Sequence, residues 1–213
     1  MNKYLLILGL TFSMVCQQAL AEDSFTNRNN SSFGIDIGYA PISLPLPGTM
    51  AATVYYIVNP NWQVGFEYAW TSLGIKAFSF EVGSIEENNR TLKARYFPGN
   101  SFNWIMGYGR RDLKVKLAAD LFDLATHEYS NTVTRTRTEY AQLGFGNQWQ
   151  WKKGYALTID WLTLNIPFAA EVTTSADRYA NSEKDAERIR DLEKTLAWYP
   201  QAWIVEFKVG FAF

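Results

Sequence analysis

The final stretch of the chain alternates strictly, with Trp203, Val205, Phe207, Val209, Phe211 and Phe213 on one face and Ile204, Glu206, Lys208, Gly210 and Ala212 on the other. A period of two is the signature of a strand whose two faces meet different surroundings. The same pattern recurs upstream. Phe33, Ile35, Ile37 and Tyr39 alternate with Gly34, Asp36 and Gly38, and Trp62, Val64, Phe66, Tyr68 and Trp70 with Gln63, Gly65, Glu67 and Ala69. Further segments set Phe102, Trp104, Met106 and Tyr108, then Ala141, Leu143, Phe145 and Trp149, then Tyr155, Leu157, Ile159 and Trp161, against small or polar neighbours, with Leu162 taking the inner face. Two more strands complete the hairpins: residues 50–58, whose outward face is ambiguous, and residues 91–97, with Lys93 and Arg95 on one face. The expected total is eight antiparallel strands; an additional hairpin containing Phe78, Phe80 and Val82 would make ten.

The connections alternate in length. Short turns fall at 58–61, 97–101 and 152–154, and long ones at 41–49, 71–90, 112–138 and 163–202. Tryptophans cluster near both ends of the strands, with Trp62, Trp104, Trp149 and Trp151 beside short turns and Trp70, Trp161 and Trp203 at the far ends. Eight residues of tilted strand, as from Trp62 to Trp70, rise about 20 Å, which suits two aromatic girdles flanking an apolar band. A soluble lipocalin-type barrel also has eight strands, but it keeps its greasy face inside and usually ends in a polar tail or helix. Here the chain ends on an aromatic strand face, which favours the membrane barrel.

Composition narrows the choice. Twenty Lys and Arg against 21 Asp and Glu leave a formal charge of -1, and a pI near 5.9 offers no basic footprint for nucleic acid. A mean hydropathy of -0.18 is too polar for a bundle of membrane helices. The longest charge-free stretch, 37–66, is broken by Pro41, Pro45, Pro47 and Pro60. Residues 1–21 read as a signal peptide: Lys3 is followed by an apolar run and by Ala19-Leu20-Ala21, a small-x-small cleavage site. Cleavage near Ala21 leaves 22–213 as one barrel domain and removes Cys16, the only cysteine, so no disulfide or thiolate-metal site remains.

The signal segment, the alternating strands and the terminal run Val205-Glu206-Phe207-Lys208-Val209-Gly210-Phe211-Ala212-Phe213 resemble small eight-stranded outer-membrane proteins of the OmpA-barrel, OmpX and OmpW kind. The resemblance implies an all-β, eight-stranded antiparallel transmembrane barrel in the outer membrane of a Gram-negative bacterium, with short periplasmic turns and long extracellular loops. It also implies Phe213 as the terminal aromatic read by the barrel assembly machinery. It implies a location and not a chemistry.

The inward parity carries Asp36, Glu67, Asp160 and Glu206 against Lys93, Arg95, Lys208 and Arg111. An eight-stranded bore is only wide enough for its own side chains, so these charges are expected to pair and plug the lumen. The reading is a monomeric barrel with a structural or loop-mediated role, no enzyme and no cofactor. The alternative is a porin-like narrow channel for small hydrophobic solutes, as the OmpW resemblance implies. A third reading, a lipid A-modifying enzyme, rests on the only histidine, His127, with Ser130 and Glu139. Deacylases of that kind hold His and Ser two apart on one strand face, and three apart does not.

The last long loop carries a helix signal, Ser182 as cap followed by Ala186, Ile189, Leu192 and Leu196 on one stripe. Leu113, Leu117, Leu121 and Leu124 suggest a second helix in the third loop. Arg135 and Arg137 take the outward parity about 30 Å above Trp149, just beyond an apolar band about 25 Å tall, where the expectation is that their guanidinium groups anchor lipopolysaccharide phosphates, the alternative being a solvated loop edge. By the same parity Arg110 falls within the lipid, which suggests that its strand is bulged or shifted.

Overall fold

The computed structural model describes residues 24–77, 80–118, 131–174 and 197–213, with Asp191, Lys194 and Thr195. The signal segment, His127 and Ser130, and most of the expected last-loop helix lie outside the described residues. At that helix's C-terminal end, Asp191, Lys194, Thr195, Ala197 and Trp198 are helical.

The short helix α1 (Ser24–Asn29) precedes nine strands: β1 (Phe33–Ala40), β2 (Ile42–Leu44), β3 (Thr49–Asn59), β4 (Trp62–Ala77), β5 (Phe80–Tyr96), β6 (Phe102–Ala118), β7 (Asn131–Gln150), β8 (Tyr155–Thr174) and β9 (Gln201–Ala212). Eight form a closed antiparallel ring, β1-β3-β4-β5-β6-β7-β8-β9, sealed by β1 pairing with β9; β2 continues on β9 where β1 stops. Closure leaves no strand edge unpaired in the ring, which is the condition for crossing lipid with strands.

Burial in β1 alternates strictly, with Phe33, Ile35, Ile37 and Tyr39 exposed and Asp36 buried. The buried set around the ring is mostly polar, while the exposed set is rich in Ile, Val, Phe, Tyr and Trp. A surface of that kind is the outside of a transmembrane barrel, with polarity inverted from a soluble protein. The open parity of 50–58 is settled by β3, where Val54, Tyr56 and Val58 face out and Tyr55 and Ile57 face in.

Four expectations are corrected. First, the stretch 71–90 is not an open loop, nor an additional hairpin: β4 and β5 run on, pairing Thr71 with Glu87 through to Ala77 with Phe80. Above the lipid both faces of a strand are wet, so the polarity alternation that marks the membrane part disappears. Likewise β6 continues to Ala118, so Leu113 and Leu117 belong to a strand and not a helix, and β7 and β8 have 20 residues each. At about 3.3 Å per residue and about 40° of tilt, 20 residues rise roughly 50 Å, twice the apolar band.

Second, the parity of β8 and β9 reverses part-way. Phe145 of β7 pairs with Leu162 and Gly146 with Asp160, so Trp161 is an extra residue of β8 in a bulge against β7, while β9 keeps unbroken register with β8 and sets Val205 opposite Trp161. Val205 has φ 59°, a left-handed conformation costly for a β-branched residue. Beyond this bulge Trp203 turns inward and is 1% exposed, while Ile204 faces out.

Third, β6 keeps continuous register with β5 and β7 past Arg110, so no bulge moves that residue off the outer face. Fourth, Trp149 is buried and not lipid-facing, at the end of β7 where α1 docks: Gln150 N donates to Ser24 Oγ (3.1 Å) and Asn27 Nδ2 to Gln150 O (2.8 Å).

Candidate functional site: a charged layer inside the barrel

Moving up the lumen from the short-turn end, the first feature is α1, which lies under the mouth. Arg28 is fully buried, donates to the carbonyls of Pro60 (2.8 Å) and Gly99 (3.2 Å), and sets its guanidinium 4.0 Å from the centre of the Phe97 ring. One cation thereby ties two short turns to the helix. Composition offers no signal for such a plug, because six residues carry no readable period.

Above it, Gln63 Nε2 donates to Gln148 Oε1 (2.8 Å), and then the charged layer begins. Arg95 grips Asp160 with two parallel hydrogen bonds of 2.7 Å each, and also donates to Asn103 Oδ1 (2.8 Å). Glu67 is the hub beside this pair. Its Oε2 accepts from Lys93 Nζ (2.6 Å), from Thr53 Oγ1 (3.2 Å) and from Lys208 Nζ. Lys208 also lies 3.2 Å from Glu206 and 3.7 Å from Asp160. The charged groups of these contacts come from β4, β5, β8 and β9, with Thr53 of β3 and Asn103 of β6 bonding to them, so the layer exists only when the ring closes.

Two glycines make room for it. A Cβ on Gly210 would lie 2.0 Å from Asp36 Oδ1, and one on Gly38 would lie 2.6 Å from Lys208 Cγ. The glycines of the alternating segments thus permit close approach of large charged side chains to the opposite wall.

The layer is not balanced. Asp36, Glu67, Asp160 and Glu206 share it with Lys93, Arg95 and Lys208, all of them buried. Asp36 Oδ1 and both oxygens of Glu206 have no hydrogen-bond partner among the described residues. Arg111, though buried, stands apart near the long-loop end, donating to the carbonyls of Tyr199 (3.1 Å) and Ala197 (3.0 Å). Thr138 Oγ1 also donates to Ala197 O (2.9 Å), so the segment entering β9 lies over that end of the lumen.

Between these ends lie features that the sequence reading left out. Trp203 packs with Ala40, Ala51 and Ala69 inside the barrel. Glu87 is buried; its Oε1 accepts from Asn89 Nδ2 (2.7 Å) and from Gln201 Nε2. A polar chain runs from Gln142 through Asn165 to Gln201, and Thr91 meets Tyr140 at 2.6 Å. Glu87 was within reach of the sequence, since the inward parity of Lys93 and Arg95 extends back through Thr91 and Asn89 to it.

Of the two outer-face arginines, both are exposed. Arg137 is held by Asp112 (3.5 Å) and Glu171 (3.8 Å), whereas Arg135 stands opposite Lys114. Phe213 closes the last strand through its backbone: its N donates to Phe33 O (2.8 Å) and its O accepts from Ser32 N (2.8 Å) and Phe33 N (3.0 Å), while its ring is 63% exposed. Among the described residues no cluster of His, Cys, Asp and Glu is arranged to hold a metal ion.

No protein-family model matches the sequence, and no curated protein matches it. Among solved structures, the N-terminal β-barrel domain of Pseudomonas aeruginosa OprF is 12% identical over 86% of this chain and 98% of that one, with a TM-score of 0.45. Ail, the attachment invasion locus protein of Yersinia pestis, is 12% identical over 85% of this chain and 97% of that one, with a TM-score of 0.47. A major outer membrane protein from Thermus thermophilus is 9% identical over 86% and 99%, with a TM-score of 0.49. The resemblance is one of architecture, and the closed ring stands on the chain's own pairing.

Proposed function

We propose that this chain is a monomeric outer-membrane barrel of a Gram-negative envelope, closed across its lumen by its own charged side chains, with a structural role or one exercised through its long-loop end. The observation that carries the reading is the Glu67 hub, bonded to Lys93 and Lys208 and adjoined by the Arg95–Asp160 fork. Five strands contribute charged residues to this layer, and removing one partner of a buried pair costs about 3–5 kcal/mol. A bore of eight strands has no room to move such groups aside without breaking them. The layer is also a poor path for hydrophobic solutes, because the side chains that form its bonds are all charged or polar. The emergence of the Phe213 ring from a fully bonded strand end fits a group displayed for the assembly machinery. Solute efflux from vesicles carrying the refolded barrel tests the reading: release no faster than from empty vesicles supports closure, and release of small solutes at a rate proportional to the protein content contradicts it.

A further inference from the structure

The outward face of β5, β6 and β7 changes character abruptly. Leu92, Tyr108, Ala141 and Ile166 form one cross-strand row of the apolar wall. The next outward row is Arg90 opposite Arg110, then Asn88, Asp112 and Arg137, then Glu86, Lys114 and Arg135. Two of these rows therefore set cation directly against cation, Arg90 against Arg110 and Lys114 against Arg135. Like charges opposite one another disfavour strand pairing.

The local acids compensate only in part. Asp112 lies 3.9 Å from Arg90, 3.5 Å from Arg110 and 3.5 Å from Arg137. None of these contacts is a two-pronged fork, although a guanidinium is built to make one. Glu86 bonds Lys116 (2.9 Å) and lies 3.8 Å from Lys114. Glu171 is beside Arg137, and Glu139 stands opposite Arg110. With Lys116 the outward face carries six cations against four carboxylates, and the Nε of Arg110 has no hydrogen-bond partner among the described residues.

Height selects the partner. From Phe102, next to a short turn, to Arg110 is eight residues, about 20 Å of rise, and Lys114 stands about 10 Å higher. The two cation pairs thus bracket the top of an apolar band about 25 Å tall. We propose that this face binds the phosphates of an outer-leaflet glycolipid headgroup, one near Arg90 and Arg110 and another near Lys114 and Arg135, with the acyl chains of the same molecule against Leu92, Tyr108 and Ile166. A lipid, and not a soluble anion, is favoured because the apolar wall continues directly beneath the cations on the same parity. Arg137, held by two carboxylates, is a neighbour of the site and not its centre.

The test is thermal unfolding of the refolded barrel with lipid A, with dephosphorylated lipid A, or with inorganic phosphate. It is run on wild type and on a variant carrying Arg90→Gln, Arg110→Gln, Lys114→Gln and Arg135→Gln. Lipid A is expected to raise the midpoint of wild type and not of the variant, while the other two additives raise neither. Without lipid the variant is expected to melt no lower than wild type, because the like-charge pairs are gone. Equal stabilisation of both proteins by lipid A, or of wild type by dephosphorylated lipid A or inorganic phosphate, overturns the proposal. If the fourfold variant fails to fold, Lys114→Gln with Arg135→Gln is used, and retention of the full lipid A effect there overturns it equally. The inference rests on the outer-membrane reading but not on a closed lumen: a leaky barrel that still distinguishes lipid A from its dephosphorylated form sustains the one and overturns the other.

Discussion

Arg95 and Asp160 meet across the lumen through two parallel hydrogen bonds, Nη1 to Oδ1 and Nη2 to Oδ2, both 2.7 Å. They are 65 positions apart in the chain, and the fork joins β5 to β8 across the bore, with β6 and β7 between them in the ring. Asp160→Asn leaves a buried guanidinium without its charge partner and is expected to cost about 3–5 kcal/mol. Arg95→Met combined with Asp160→Leu is expected to recover most of that loss. Urea unfolding of the refolded barrels measures both, and an Asp160→Asn barrel as stable as wild type contradicts the pairing.

The two remaining carboxylates with clear ties to Lys208 are predicted to differ. Glu67 holds two lysines, so Glu67→Gln takes from Lys93 the carboxylate it bonds and from Lys208 one of the three around it, and is expected to cost on the order of 3 kcal/mol or more. Glu206 makes no hydrogen bond among the described residues and sits in a layer with more acids than bases. Glu206→Gln is therefore expected to cost about 1 kcal/mol or less. The ordering of the two unfolding midpoints is the check, and the reverse order would mean that Glu206 is the hub.

Val205 occupies left-handed backbone that favours glycine. Relief of about 1–2 kcal/mol of strain outweighs the roughly 0.5–1 kcal/mol entropic cost of glycine, so Val205→Gly is expected to stabilise the barrel slightly. A lower midpoint for Val205→Gly would show that the side chain contributes more than the strain removes.

The same bulge marks the limit of what the sequence discloses. Alternation read from Phe213 backwards places Phe207, Val209 and Phe211 outside, where they are, but it also carries Trp203 outside, where it is not. A period of two has no memory of a backbone irregularity: the bulge at Trp161, with the left-handed Val205 opposite it, inverts every assignment beyond it in β8 and β9. Within each stretch read without crossing such a bulge the parity holds, and Asp36, Glu67, Lys93, Arg95, Asp160, Glu206 and Lys208 are all buried. Which of them touch was not legible, since that depends on strand stagger around the ring and on the space left by Gly38 and Gly210. Nor was α1 legible, being six mostly polar residues with Phe25 exposed, held in place by Arg28 and the turn carbonyls it meets.

Phe213 separates display from folding. Phe213→Ala keeps the three backbone hydrogen bonds to Ser32 and Phe33 and removes only the exposed ring. Refolding into detergent is expected to be nearly unchanged while outer-membrane levels in cells fall several-fold. Matching losses in both assays would make the ring a packing residue and not an assembly signal.

Single-protein conductance in a planar lipid bilayer tests closure of the lumen most directly. With Glu67, Lys93, Lys208, Arg95 and Asp160 joined across the bore, the refolded wild-type barrel is predicted to insert without stepwise current, and Glu67→Gln to show flickering openings at most. Steady, reproducible conductance steps from the wild-type barrel would contradict the account.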